Sequence, residues 1–410
     1  MPQSIRMTPI RHSPRHILML KSHSMGVGDV LRSSAAWRAL KDHYPQAQLH
    51  LLFLSKHPGY ASESLIKEHH LLASAHFLTL REKSPQNANA KKTPMGELLA
   101  KSIQIAKDQE IDTIIDFEMH GLRGAWLTWQ IQRALSGKGQ AVQTLGVGQF
   151  WVKKFFYDHS SPALKHFAKS ANLSLPMDYT HRDFVALSAW GVKREGRPIE
   201  LRSTPTSRDA VNRLLLEFDA KRIERNQRNA RFLLCLNIGC GTEDALYKRP
   251  AMRDLVCAMM ALYQSRPFDL ILTGAPFEKE INEVFLKAFE QALSETSLGV
   301  KGAGEGTSEG SELSPSLETD FLSLDCAGKT SLPELSALIE RCDLVVSTDS
   351  GPYHMAVALK VPTLVWFIKD EVASYHEDHW CRHVVKPDAV AFTRLVSELL
   401  PHLPDHELRL

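Results

Sequence analysis

Residues 343–367, DLVVSTDSGPYHMAVALKVPTLVWF, read as one complete strand-loop-helix-strand unit with its polar residues collected in the loop. Residues 344–347 form a short apolar run suited to a buried strand, and residues 362–367 form a second. The helix between them has a marked start. Asp349 and Ser350 are capping types, Gly351 permits an unusual backbone turn, and Pro352 is tolerated in a first helical turn. Free amides at a helix start that follows a parallel strand make a ready phosphate site. His354 stands one turn in, where it can donate to such a phosphate. The same residues also fit a plain helix cap with a satisfied surface histidine.

Working outward, the pattern recurs near the other end of the chain. Residues 16–20 read as a first strand and Gly26 and Gly28 as a flexible turn. Leu31, Ala35, Ala36 and Leu40 then form the apolar stripe of a helix that stops before Pro45, and residues 48–54 supply the next strand. The turn fails the dinucleotide fingerprint G-x-G-x-x-G because Leu31 occupies the third glycine position, which disfavours a nicotinamide oxidoreductase. Asp29 follows the second glycine directly, so its carboxylate lies at the mouth of the turn, as a plain cap or as a reactive group. Residues 111–117 form a further strand, and Arg123 with glycines on either side leads into an apolar helix over 125–135. Arg123 fits a contact to an anion and a solvated helix-start cation alike.

The second half repeats the alternation. Residues 231–238 are a buried strand followed by GCGTEDALYKRP, where Lys248 and Arg249 precede a helix. Basic groups at a helix start oppose its dipole unless an anion sits nearby, so an empty site should mildly repel Lys248. A lysine suits a diphosphate as a mobile point charge, and Arg249 can add a fork or pair with a local carboxylate. Residues 268–272 form a strand leading through Gly274 into an amphipathic helix that reaches residue 292. Glu278, in its first turn, serves ribose hydroxyls or the helix dipole equally well.

At 410 residues and 43% hydrophobic content the chain can bury two ordinary cores. A net charge of +2 gives no global pull toward nucleic acid, and the basic run within 193–231 contains no aromatic stacking partner apart from Phe218 upstream of it. Six cysteines without a C-x-x-C pair fit a reducing cytosol. No apolar run reaches about 18 residues and no signal-peptide segment stands at the start, so the protein is expected inside the cell. Residues 149–166, QFWVKKFFYDHSSPALKH, are open to two readings: an aromatic and basic membrane patch, or core rings with a wet lysine face. Composition favours the second, because one short patch binds membranes weakly. Residues 295–320, rich in Gly and Ser and lacking aromatics, read as a disordered insertion. The HEDH run at 376–379 lacks the H-E-x-x-H spacing of a zinc site.

The opening stretch, with AGKTSLPELSALIERC before it at 327–342, closely resembles the C-terminal signature of glycosyltransferase family 9, the ADP-heptose:lipopolysaccharide heptosyltransferases. That family carries a D-S-G-x-x-H loop after a strand and a G-K-T-S-L-x-E-L helix entry before it. The resemblance implies an α/β GT-B architecture, two doubly wound Rossmann-like domains facing a central cleft. Residues 1–192 would form the acceptor-binding domain, 193–230 the crossing, 231–385 the nucleotide-sugar domain with the 295–320 insertion, and 386–410 a closing helix and tail.

It further implies roles residue by residue. Asp29 corresponds to the base that deprotonates the acceptor hydroxyl, and Arg123 falls on the acceptor side. Lys248 and Arg249 match the family's basic pair at the donor diphosphate, Gly274 and Glu278 its glycine turn and ribose glutamate, and Asp349, Ser350, Gly351 and His354 its phosphate loop. The implied reaction is inverting transfer from ADP-heptose to a lipopolysaccharide core or related anionic glycolipid. It needs no cofactor and no metal, and no D-x-D motif stands at the donor site. Peripheral contact with the cytoplasmic face of the inner membrane and absence of nucleic acid complete the expected partners. Two departures stand out: Pro250 where tryptophan is usual, and Phe367-Ile368-Lys369 in place of F-G-x-T, where Lys369 brings charge instead. They keep open a non-catalytic nucleotide-sugar binder, or a transferase using another donor, although a pure binder has no need of Asp29.

Overall fold

The computed structural model describes residues 12–22, 26–56, 58–81, 92–137, 139–149, 151–226, 231–241, 243–302 and 321–399. The chain divides into two units, Met1–Arg202 with Val372–Tyr375, and Ser203–Glu371 with His376–Leu410.

In the first unit the order is β1 (His16–Lys21), α1 (Val27–His43), β2 (Gln48–Ser55), α2 (Ala61–Ile66), β3 (Ser74–Thr79), α3 (Met95–Asp108), β4 (Thr113–Asp116), α4 (Arg123–Ser136), β5 (Gln143–Val147), β6 (His159–Ser161), α5 (Leu164–Ser170) and α6 (Arg182–Leu187). The strands form one parallel sheet in the order β3-β2-β1-β4-β5-β6. A parallel sheet has helices on both faces, so its strands must be apolar throughout; in β2 only the first residue is exposed. Leu98, Leu127, Ile131 and Leu135 of α3 and α4 are all buried, the last three against Leu18, Leu20 and Ile114. The strand order reverses direction between β1 and β4, which are in register from Ile17 opposite Thr113 to Leu20 opposite Asp116. A crevice at the carboxyl ends of those two strands is the expected ligand position.

The second unit opens with α7 (Pro205–Asn226) and continues β7 (Phe232–Asn237), α8 (Met252–Ser265), β8 (Phe268–Thr273), α9 (Lys279–Gly302), β9 (Ser323–Asp325), α10 (Leu332–Glu340), β10 (Leu344–Thr348), α11 (Gly351–Ala358), β11 (Thr363–Phe367), β12 (Cys381–Val385) and α12 (Ala389–Leu399). Its six parallel strands lie in the order β12-β11-β10-β7-β8-β9, with the reversal between β7 and β10. Those two strands register from Leu234 opposite Leu344 to Asn237 opposite Ser347. Phe232, Phe268, Phe285 and Phe289 form the centre of the core, the last two stacked 5.6 Å apart.

Three expectations change. The segment 193–230 is not a free crossing, because α7 belongs to the second unit and buries Val211, Leu215 and Phe218, one helical stripe. Near its end Arg222 Nε and Arg225 Nη1 donate to the fully buried Asp269 of β8 at 2.9 and 2.5 Å. The supposed insertion begins inside α9, which runs to Gly302; residues 303–320 lie outside the described ones. In the 3-10 turn Trp151–Phe156 the expected facing is inverted. Trp151 and Phe155 are 72% and 75% exposed, while Lys153 is fully buried.

Candidate functional site

In the second unit the loops after β7 and β10 meet at the reversal point. Asn237, last in β7, donates from Nδ2 to the Ser350 hydroxyl at 3.0 Å and to the Gly239 carbonyl at 2.9 Å. Thr348 donates to that same carbonyl at 2.5 Å. Ser350 is the N-cap of α11 by backbone position, yet its side chain makes no cap hydrogen bond because it is turned inward onto Asn237. The Ser350 hydroxyl therefore does not cap the start of α11, where the positive end of the helix dipole lies.

Lys248 ends a 3-10 turn and reaches across to this helix start. Its Nζ donates to Asp349 Oδ2 at 2.7 Å, with the two side chains 25% and 9% exposed. Burial works against the charge of Lys248, but the hydrogen bond and charge of Asp349 outweigh it and raise its pKa. His354 Nε2 lies 4.0 Å from the other Asp349 oxygen, and His354 Nδ1 lies 3.0 Å from His376 Nε2. Beside the pair opens a hollow of about 250 Å³ lined by Tyr247, Lys248, Asp349, Phe367, Lys369 and Glu371 among others.

The glycine loop after β7 is held from below. Glu278 is buried, and its Oε1 accepts from the Cys240 and Gly241 amides at 2.8 and 3.1 Å and from Arg249 at 3.1 Å. Its Oε2 accepts from the Ala275 amide at 2.8 Å. A side chain at Gly239 would meet this carboxylate, since an added Cβ would lie 2.0 Å from Oε1. The helix entry GKTSLPEL has an equally local cause. Gly328 adopts φ +71°, and Ser331 and Glu334 of α10 form a capping box in which Glu334 accepts from the Ser331 amide at 2.7 Å.

In the first unit the reversal point holds a second hollow, of about 430 Å³, lined by Lys21, Asp29, Arg32, Glu118, Tyr179 and Arg182 among others. Asp29 sits in the first turn of α1, 34% exposed and 3.7 Å from Arg182 Nη1. Arg182 in turn lies 3.6 Å above the Tyr179 ring. Lys21 pairs with Asp183 at 3.6 Å, both buried; burial raises the Asp183 pKa while Lys21 pulls it back. Glu118 fixes the strand end by accepting from the Ser22 amide at 2.8 Å. Beneath, Asp116 is fully buried, accepts from Tyr157 OH at 2.6 Å and lies 4.0 Å from Lys153. Burial pushes its pKa up to about 6 against the pull of Lys153 and Tyr157.

Known proteins resemble this chain in sequence over part of its length and in fold over most of it. The profile described as glycosyltransferase family 9 (heptosyltransferase) matches residues 290–370, which take in α10, β10, α11 and the phosphate-type loop. Over that stretch the chain is similar to glycosyltransferase family 9. A 44-residue stretch is 48% identical to the lipopolysaccharide core heptosyltransferase OpsX of Haemophilus influenzae, covering 11% of this chain and 13% of that relative. Across 90% of this chain and 86% of the other, the fold matches a family 9 glycosyltransferase from Veillonella parvula, with TM-score 0.58 and 13% identity. The E. coli ADP-heptose lps heptosyltransferase II matches over 95% and 98%, with TM-score 0.55 and 15% identity, and the E. coli heptosyltransferase WaaC with ADP over 94% and 99%, with TM-score 0.55 and 13% identity. The two six-stranded units thus carry the GT-B fold of these structures.

Lys248, Asp349, Ser350, Gly351 and His354 come together at one helix start. Arg249, Gly274 and Glu278 gather one layer beneath, and there Arg249 pairs with a carboxylate rather than standing open as a fork. Glu278, expected at a ribose or a helix dipole, caps its helix start at the Ala275 amide and also holds the glycine loop. Lys248, expected to be repelled, is neutralised by Asp349. Arg123 is exposed at the first residue of α4 and does not line the Asp29 hollow. The residues not foreseen are Arg182, Tyr179, Lys21 and His376. The HRD run at 181–183 was their signal in the first unit, and His376 lay in the HEDH run, where it faces His354. Among the described residues no group of three or more His, Cys, Asp and Glu is placed to hold a metal, and no helix is long and apolar enough to cross a membrane.

Proposed function

We propose that the chain is an inverting glycosyltransferase that moves a sugar, by family heptose from ADP-heptose, onto a lipopolysaccharide core or a related anionic glycan. The observation that carries this reading is the start of α11: a lysine poised at a helix terminus whose own cap has turned away, within the segment that matches the family profile. A departing nucleoside diphosphate would take the helix amides and draw Lys248 from Asp349, so that charge developing on the leaving oxygen meets groups already in place. The acceptor hydroxyl attacks the anomeric carbon, Asp29 takes its proton, and the bond electrons of the breaking C–O linkage go to the β-phosphate oxygen. Arg182, 3.7 Å from Asp29, orients the carboxylate at the hollow. In this reading the diphosphate charge is met by Lys248 and the amides without a metal ion. The reaction would run at the cytoplasmic face of the membrane, with no nucleic acid involved.

The test is Asp29→Asn with ADP-heptose and a core acceptor. Turnover is expected to fall at least about a hundredfold with ADP affinity unchanged, and wild-type turnover to persist in chelator with an inverted product. Normal turnover in Asp29→Asn would refute the base, and a wild type that binds the donor without ever transferring it would favour the non-catalytic binder.

A further inference from the structure

We propose that the Trp151–Phe156 turn of the first unit docks on an anionic lipid bilayer, placing Trp151 and Phe155 in the interface with Lys154 and the lysines of α5 at the headgroups. Exposed Trp and Phe side by side are unusual on a soluble surface, and here their rings meet edge to face at 6.0 Å with most of their area in water. Nothing loose produces this exposure. Lys153, between them in sequence, donates to the Glu118 carbonyl at 2.6 Å, Phe156 packs edge-on against Trp129 at 6.0 Å, and Tyr157 is held by Asp116. A Cβ on Gly146 would lie within 2.6 Å of the Tyr157 ring, so the sheet itself leaves room for this anchor. The turn is fastened from inside and aims its two largest apolar side chains outward.

The charge around the pair complements an anionic surface. Lys154 is exposed in the same turn, and Gln149 accepts from the Leu164 amide at 2.9 Å, which brings the start of α5 alongside. On α5, Lys165, His166 and Lys169 are exposed while Phe167 and Ala168 are buried. From residue 149 to residue 170 the only acid is Asp158, and it is taken up by Gln132 and Thr144. Aromatic rings at headgroup depth with lysines beside them are the usual composition of an interfacial anchor. The anchor also has a fitting address. It follows β5, and the loop that lines the Asp29 hollow follows β4, so both leave the same edge of a parallel sheet, joined by the Lys153 to Glu118 bond. The surface stands on this geometry alone; its use in reaching a lipid-anchored acceptor rests on the transferase reading.

The experiment is flotation of the full chain with vesicles of equimolar phosphatidylglycerol and phosphatidylcholine, or of phosphatidylcholine alone, at about 0.1 M salt. Binding to the anionic vesicles is expected, weaker by about tenfold in the Trp151→Ala/Phe155→Ala double variant and similarly in Lys154→Glu/Lys165→Glu. Melting temperature and ADP affinity should not move, which separates loss of docking from misfolding and from failure of the transferase reading. Brominated acyl chains should quench part of the tryptophan emission of the wild type and less of it in Trp151→Phe. No binding to anionic vesicles, equal binding to both vesicle types, or a double variant that binds as the wild type does would overturn the proposal. So would a dimer in solution that the double variant abolishes, because the occupant would then be a second copy of the chain.

Discussion

Replacing Lys248 by alanine separates two effects that the geometry couples. Without ligand, the change strands the Asp349 carboxylate, 9% exposed, beside an uncapped helix start and 4.0 Å from His354. A buried pair broken from one side costs several kcal/mol, but the helix dipole and partial exposure soften this one to about 1–2 kcal/mol. For a unit of this size that lowers the melting temperature by about 2–8 °C. Because Asp349 raises the Lys248 pKa over the opposing effect of burial, the pair stabilises the fold below the ordinary lysine value of 10.5 and is lost as pH rises through the raised one. The gap between variant and wild type should therefore close above about pH 10.5. With ADP, loss of one charge-assisted bond of about 1.5–3 kcal/mol predicts affinity weaker by roughly 10- to 150-fold. Asp349→Asn should do the reverse, holding or tightening ADP affinity because Lys248 is no longer shared, and the double variant should recover most of the lost melting temperature. Melting curves and calorimetric titrations of the three proteins decide. If Asp349→Asn loses ADP affinity as fully as Lys248→Ala, the two residues are not competitors and the account of the empty site is wrong.

Other outcomes follow from closer packing and from titration. Gly239→Ala drives a Cβ into the buried Glu278 carboxylate and should cost about 2–4 kcal/mol, visible as a lowered denaturation midpoint; a loss under about 0.5 kcal/mol would show that the loop moves aside freely. Asp116, raised from 3.8 to about 6, is held more cheaply as the neutral acid, so its contribution is complete below pH 3.8 and is lost as pH climbs through about 6. That step is worth about 3 kcal/mol, and Asp116→Asn should remove it from the stability-against-pH curve; an unchanged curve would mean that Lys153 keeps Asp116 ionised throughout.

Much of the loop after β10 was legible because its cues are local. Gly351 and Pro352 open a helix within a few residues of a strand end, and the Ser331 to Glu334 capping box is written in four consecutive letters. The place of Asp29 in the first turn of α1 is legible for the same reason. The facing of residues 151–156 was not, since Lys153 is buried by a carbonyl 35 positions away and by Asp116 below it. Glu278 was legible in part: its first-turn position gives the cap at Ala275, and only the fold brings the Cys240 and Gly241 amides onto it. Charge density hid the stripe Val211, Leu215 and Phe218, because the basic run after it made the whole segment look solvated.

The clamp of Arg222 and Arg225 on Asp269 bears on how such chains can be recombined. Asp269 is fully enclosed in β8 and needs both guanidinium groups, so a second half grafted from a relative without its preceding helix would carry an unmatched negative charge through its own sheet. The natural seam for exchanging the second half between relatives falls just before Ser203, not at the strand that begins with Phe232. Lineages that exchange halves should accordingly keep the two arginines and the aspartate on the same inherited segment.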